Sequence, residues 1–282
     1  MAGPILVVSP HLDDAVLSLG ATIAGWTSRG TRVVIASVYT AGPPLEEVAP
    51  SMRQFADYDT RRAEDDAACR VIGAEVQRLG QIERAFRPPY LTGWSFFTTP
   101  ADRSGFTGLP AVTAALDPLA ALDPVEIHVP LGVGNHIDHI EALLAATDWA
   151  IARGWGDRLR FYEDFYALAG GMRAKHFVAR AHRWRHWQSP LLRARRLGVI
   201  LKTIATRVGG PPVETFLDPT LRDASWTVNI PPGADERTQL TAIACYASQT
   251  RAFGGKAGID RALRAFHAWW GGGEPVWRAT SV

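Results

Sequence analysis

The sequence predicts an α/β protein: a mostly parallel sheet with helices on both faces and a site at the carboxyl ends of the strands. Three observations lead there. Short oily runs alternate with longer amphipathic stretches through the first half of the chain, the pattern of strand–helix–strand units in a parallel sheet. The first oily run, ILVV at 5–8, is followed at once by the polar cluster SPHLDD. A later one, at 125–129, is followed within a few residues by NHIDH at 135–139. Polar clusters at such turns occupy the edge where open α/β sheets bind ligands.

Taken in order, residues 4–8 read as a buried strand and 14–29 as a helix, stopped by Gly30. RVVIASVY at 32–39 is rich in β-branched residues and reads as the second strand. Residues 40–50 form a Pro-rich loop, 60–72 an amphipathic helix ending before Gly73, and 75–79 a third strand. The stretch 84–110 holds Pro88, Pro89, Pro100 and Pro110 yet keeps Tyr90, Trp94, Phe96, Phe97 and Phe106. A long loop with aromatics is either a substrate wall or a cover over a core edge. A strand at 125–129, a helix at 141–152 and a strand at 159–165 follow. The expectation is one Rossmann-like domain over 1–282, with a basic, helical insertion or flap at about 165–213.

Bulk properties set limits. With 282 residues, 47% apolar and 21% charged, the chain has the composition of a soluble globular protein. A net charge of +2 offers no argument for nucleic acid. The charge is uneven, however. Residues 165–213 carry ten Arg or Lys and no acid, leaving 20 basic and 28 acidic residues elsewhere, −8 net. The same stretch holds His176, His182, His186, Trp184 and Trp187. It reads as a solvated helical face, a wall for an anionic substrate, or a contact with acidic lipid or a partner. Trp184 and Trp187 are candidates for burial or for stacking on a sugar ring. Cys69 and Cys245 form no close ligand pair and read as reduced thiols. No run approaches the ~20 apolar residues of a membrane helix, and no basic region precedes the first apolar run. A cytoplasmic protein is expected, of undetermined oligomeric state.

The two polar clusters carry the chemistry. Asp13 or Asp14 alone could simply cap the helix that follows. Together the clusters offer His11, Asp13, Asp14, His136, Asp138 and His139, enough for a two-histidine, one-carboxylate metal site. Zinc suits that donor set, and iron is the other metal it accepts. His11 and Asp14, three apart across the turn, can point at one ion, and His139 can supply a third ligand. Asp13 between them points elsewhere, within reach of a water, and Asp138 can hold an imidazole in one tautomer. One metal's worth of ligands argues against a two-metal phosphoesterase. With no GxGxxG after the first strand, a dinucleotide oxidoreductase is disfavoured.

SPHLDD and NHIDH resemble the two signatures of the PIG-L/LmbE family of zinc-dependent N-acetylglucosaminyl deacetylases. Arg61-x-x-Glu64 with Gly73, FYEDFYA at 161–167, CYASQ at 245–249 and the stretch 274–277 resemble further family elements in the same order. The resemblance implies zinc on His11, Asp14 and His139, and Asp13 as the general base. It implies His136 as an imidazolium stabilising the oxyanion, tuned by Asp138. It implies Arg61 and Glu83 in substrate binding. The reaction implied is removal of an acetyl group from an amino sugar, free or within a larger glycoconjugate or natural product. Departures are Leu12 for the usual proline, Ala15 for the acid that commonly follows the paired aspartates, and Glu83 where many relatives have Asp. Hydrolysis of another amide, acylated or thiol-conjugated, and a non-catalytic sugar-binding protein of the same fold are the alternatives.

Overall fold

The structure, a computed structural model, describes residues 3–91, 95–184 and 188–280. Trp94, His186 and Trp187 lie outside the described residues. The strands are β1 (Ile5–Ser9), β2 (Val33–Ala41), β3 (Glu75–Ile82), β4 (Glu126–Pro130), β5 (Leu159–Tyr162), β6 (Ser225–Asn229) and β7 (Val276–Thr280). They form one sheet in the order β3-β2-β1-β4-β5-β7-β6. The first five are parallel, and β7 and β6 are added antiparallel. The longer helices around the sheet are α1 (Asp14–Ser28), α2 (Tyr58–Val71), α3 (Leu109–Leu116), α4 (Ile137–Ala152), α5 (Arg195–Ala205), α6 (Glu236–Ile243), α7 (Ala247–Ala252) and α8 (Lys256–Trp269). The mostly parallel α/β fold expected from the sequence is the fold observed.

Every residue of β1 is buried, as a strand covered on both faces requires. At the edge, β3 alternates between exposed and half-buried residues. From β1 the chain steps outward to β2 and β3, then returns to β4 on the other side of β1. That reversal opens a crevice between the carboxyl ends of β1 and β4, where open sheets of this kind bind ligands. Both polar clusters emerge there.

The elements differ from expectation at three places. Helix α4 starts at Ile137, not at 141, so Asp138 and His139 lie in its first turn. Strand β5 stops at Tyr162, which frees Glu163 and Asp164 from the sheet. Strands β6 and β7 were not anticipated; β6, SWTVN, is partly exposed along its length.

The segment 165–213 contains α5, whose Leu197, Leu201 and Ile204 are buried. Phe165, Leu168, Met172, Phe177, Val178 and Leu191 join the same core. A buried ion pair fastens it: Arg173 Nε and Nη2 lie 2.8 and 3.0 Å from the Glu163 carboxylate. Trp277 donates to Glu163 at 3.1 Å, and the Arg173 guanidinium covers the rings of Trp184 and Trp270. The long loop after β3 is anchored through buried Glu141, which accepts from Gly108 N at 2.8 Å, Tyr39 Oη at 2.7 Å and Arg87 Nη2 at 2.6 Å. Phe97 and Phe106 of that loop are buried, so it covers a core edge, and its Phe96 and Phe97 also face His136.

Candidate active site

The turn after β1 is closed by its own side chains. Ser9 Oγ donates to His11 O at 2.6 Å and accepts from Ala15 N at 3.0 Å. This hydroxyl closes the turn where Ala15 replaces an acid. His11 N donates to Asp14 Oδ2 at 2.9 Å. Asp13 occupies the N-cap position of α1 yet makes no capping hydrogen bond, so helix capping does not account for its carboxylate. In the second turn, between β4 and α4, Gly132, Gly134 and Asn135 have φ of 74°, 94° and 56°. That run of left-handed residues folds the chain back sharply. A Cβ on Gly134 would come within 2.9 Å of Tyr166.

These turns bring His11, Asp14 and His139 together, with one ligand atom from each inside a 4.8 Å cluster, all three buried. Asp14 Oδ2 lies 3.0 Å from His11 Nδ1 and 3.1 Å from His139 Nε2. His139 Nε2 is buried and has no hydrogen-bond partner. An orphaned imidazole nitrogen beside a carboxylate and a second imidazole is a donor set that zinc or iron completes. The residues fit a metal.

The carboxylates behind the histidines are distributed differently from expectation. Asp138 makes no hydrogen bond to His136. It accepts from Arg84 N at 3.1 and 3.2 Å and faces His11 Nε2 at 3.3 Å. His139 is held by Asp164, whose Oδ1 lies 2.5 Å from Nδ1 and whose Oδ2 accepts from Val133 N at 2.8 Å. In the sequence Asp164 was visible only as part of FYEDFYA; its role depends on β5 ending two residues earlier.

Burial opposes charge on both histidines, and the surrounding acids win. Glu83, Asp138 and Asp14 hold His11 well above the ordinary imidazole range against desolvation. Asp14 and Asp164 raise His139 to about 9, again against burial. Desolvation pushes Asp14 upward, but His139 and His11 hold it well below the usual carboxylate range. Burial, with Asp14 beside it, pushes Asp13 up to about 6. The cluster therefore attracts positive charge.

His136 is the exception and corrects an expectation. Its ring lies nearly parallel to Tyr166 at 6.1 Å and to Phe96 at 6.5 Å, with Phe97 edge-on at 5.3 Å. Burial, reinforced by His139, pushes it down to about 3. Asp138 and Asp14 pull the other way without overcoming burial, so the surroundings favour the neutral imidazole over the imidazolium expected.

The clusters open into a cavity of about 170 Å³, whose wall includes His11, Asp13, Asp14, Arg61, Glu83 and His136. Arg61 Nη1 lies 2.5 Å from Glu83 Oε1 and donates to Phe55 O at 2.7 Å. Phe55, Tyr166, Gln249 and Phe253, none of them assigned to the site from sequence, complete the wall with Leu17 and Phe165. The basic segment contributes Phe165 and Tyr166 to this cavity and, among the described residues, no Arg or Lys. Arg193 lines a separate groove with Arg261, Arg264 and Trp269.

Comparison with known proteins gives a consistent picture. The PIG-L family pattern, described as GlcNAc-PI de-N-acetylase, matches residues 6–150. Among solved structures, the A40926 pseudoaglycone deacetylase Dbv21 is 22% identical, over 100% of this chain and 98% of that chain, with a TM-score of 0.63. A deacetylase from the teicoplanin biosynthesis pathway is 22% identical over 99% and 98%, with a TM-score of 0.68. The zinc-inhibited form of teicoplanin deacetylase Orf2 is 21% identical over 99% and 98%, with a TM-score of 0.66. These likenesses show a shared fold. No curated protein matches the chain by sequence.

Proposed function

The chain belongs to the PIG-L family, and from that membership we propose that it is a metal-dependent hydrolase removing the acetyl group from the nitrogen of an amino sugar. The products are acetate and a free amine. The observation that carries the reading is the convergence of His11, Asp14 and His139, with uncapped Asp13 beside them in the cavity wall. Zinc, or iron, held by His11, Asp14 and His139 would supply a Lewis acid and lower the pKa of water at the site to roughly 7.

The protein's own groups do the rest. Asp13 takes a proton from the attacking water and hands one to the leaving nitrogen, the work of a positioned general base then acid. Asp164 accepts from His139 Nδ1, which leaves Nε2 as the lone-pair nitrogen facing Asp14. Asp138 does the same for His11 from the other side. Neutral His136 donates an N–H to the developing oxyanion; losing such a donor costs about 10²–10³ in rate. Arg61 and Glu83 bind the sugar.

The names of the structural neighbours support an amino sugar carried on a larger natural product. The cavity offers Arg61 as its cation, already paired with Glu83, so an anionic group on the substrate would sit outside it. Among the described residues no helix is long and apolar enough to cross a membrane. Both cysteines are free, which supports a cytoplasmic setting.

Metal content per chain, measured for wild type, Asp14→Ala and His139→Ala, tests the reading. About one metal ion per wild-type chain, lost in both variants, is expected, together with acetate release from N-acetylated amino sugars. A wild-type chain that takes up neither zinc nor iron, or that releases no acetate when loaded, overturns it.

A further inference from the structure

Behind the metal-binding turn lies a buried trio that the proposed chemistry does not use. Tyr246, just before α7, places its Oη 3.1 Å from the carbonyl oxygen of Leu12 and 2.9 Å from Asp65 Oδ1 on α2. Leu12 sits between His11 and Asp13. Tyr246 and Asp65 are each at most 1% exposed, so bulk solvent does not reach either group. Tyr246 is the hydrogen-bond donor found for the Leu12 carbonyl among the described residues.

Counting protons decides what this geometry can do. A phenol has one hydrogen and meets two oxygens that both accept. If it donates to an ionised Asp65, the Leu12 carbonyl is left buried without a donor. If it donates to Leu12, its own oxygen faces Asp65 Oδ1 at 2.9 Å with no hydrogen between them, unless Asp65 carries the proton. All three groups are satisfied together only with a neutral Asp65.

We propose that Asp65 and Tyr246 form a proton-ordered relay that positions the metal-binding turn: neutral Asp65 donates to Tyr246, and Tyr246 donates to the Leu12 carbonyl. Both are positioning residues, acting through Leu12 on its neighbours His11, Asp13 and Asp14. The inference rests on the metal-site reading above.

The groups facing Asp65 allow the neutral form. Arg78, on β3, reaches Asp65 Oδ2 at 3.6 Å without a hydrogen bond and is itself paired with Asp66. From the same helix, the Cys69 thiol donates to Oδ1 at 3.6 Å, a weak bond that favours the carboxylate and that burial outweighs. Asp13 adds negative charge from the turn, and Tyr246 contributes a dipole. Burial outweighs Tyr246 and Arg78 and pushes the Asp65 carboxyl up to about 7. The relay is therefore complete in acid, and it opens as pH rises through that value. Ionised Asp65 then recaptures the phenol hydrogen and the Leu12 carbonyl loses its donor.

The test is the zinc dissociation constant of the full chain, by competition with a chromophoric chelator, at about pH 6 and about pH 8.5, on either side of the Asp65 transition. Wild type, Tyr246→Phe and Asp65→Asn are compared at the same pH, so that protonation of His11 and His139 affects all three alike. At the lower pH Tyr246→Phe binds zinc about fivefold more weakly than wild type, the worth of one hydrogen bond, and Asp65→Asn matches wild type. At the higher pH the Tyr246→Phe deficit shrinks. There Asp65→Asn binds about fivefold more tightly than wild type, because the amide donates to Tyr246 at any pH. Should Tyr246→Phe fail to fold, the Asp65→Asn comparison stands by itself. Ratios that are the same at both pH values overturn the relay while leaving the metal site intact. A wild-type chain that binds no zinc overturns both.

Discussion

At the scale of the residue, the site separates carboxylates engaged with imidazoles from Asp13, the one proposed to react. Asp14 is pinned between two imidazoles, and Asp138 and Asp164 stand behind them. Asp13 has no such partner, and burial, with Asp14 beside it, lifts it to about 6. Asp13→Asn is expected to keep wild-type metal content and lose about 10²–10⁴ in kcat, the range for a positioned base; elemental analysis beside steady-state kinetics checks both. Only the ionised form accepts a proton, so kcat/KM rises with pH and is lost as pH falls through the Asp13 value. A bound cation favours the carboxylate, which puts the midpoint at or below about 6. A midpoint well above that would assign the limb to another group. Asp164→Asn keeps the size but removes the charge behind His139, and a loss of about 10–100-fold in zinc affinity is expected. Both polar clusters were legible in the sequence because each is contiguous and follows an oily run. Asp164 was not, since nothing local announces that it will meet His139. Asp138 stays near both His136 and His11, but its hydrogen bonds go to Arg84 N and His11 Nε2, a choice that depends on a loop more than fifty residues earlier in the chain and is invisible in NHIDH itself.

At the scale of the element, the inner parallel strands were legible as short oily runs between helical stretches, and β3, with its polar Glu75–Ile82 sequence, by its place after Gly73. Strands β6 and β7 were not. Trp226 and Val228 alternate with polar neighbours, and the partner of this edge strand arrives nearly fifty residues later. The basic stretch 165–213 looked like an appendage because its charge dominates its composition. Its packing turns on one arginine that is fully buried. Removing Arg173 leaves Glu163 buried with only the Trp277 N–H for company. Breaking a buried pair from one side costs about 3–5 kcal/mol, and at about 2–4 °C per kcal/mol in a chain of this size or somewhat smaller Arg173→Ala should lower Tm by roughly 10 °C. Arg173→Met combined with Glu163→Leu should recover part of that loss, because no unpaired charge remains. A double variant no more stable than Arg173→Ala in thermal melts would mean that the pair contributes shape rather than charge balance.

At the scale of the whole molecule, the reversal of strand order between β1 and β4 makes the site possible, and the charge map raises a separate question about it. A net +10 over residues 165–213 beside −8 elsewhere invites the idea of a wall for an anionic substrate. The fold turns the apolar side of that segment inward and offers Phe165 and Tyr166 to the cavity. None of its described arginines lines that cavity, and Arg193 lies in a groove against α8. Charges that do not touch a ligand act on it through solvent, where screening leaves little beyond about 8 Å at physiological salt. Replacing Arg193, Arg195 and Arg196 by Gln should therefore shift KM by less than about twofold in about 0.15 M salt, for a neutral and an anionic N-acetyl sugar alike. At low salt a modest rise confined to the anionic substrate is expected, and it should vanish as salt is added, the signature of steering rather than contact. A large rise in KM for the anionic substrate that persists at high salt would place these guanidinium groups against it and reopen the question of where the substrate extends beyond the cavity.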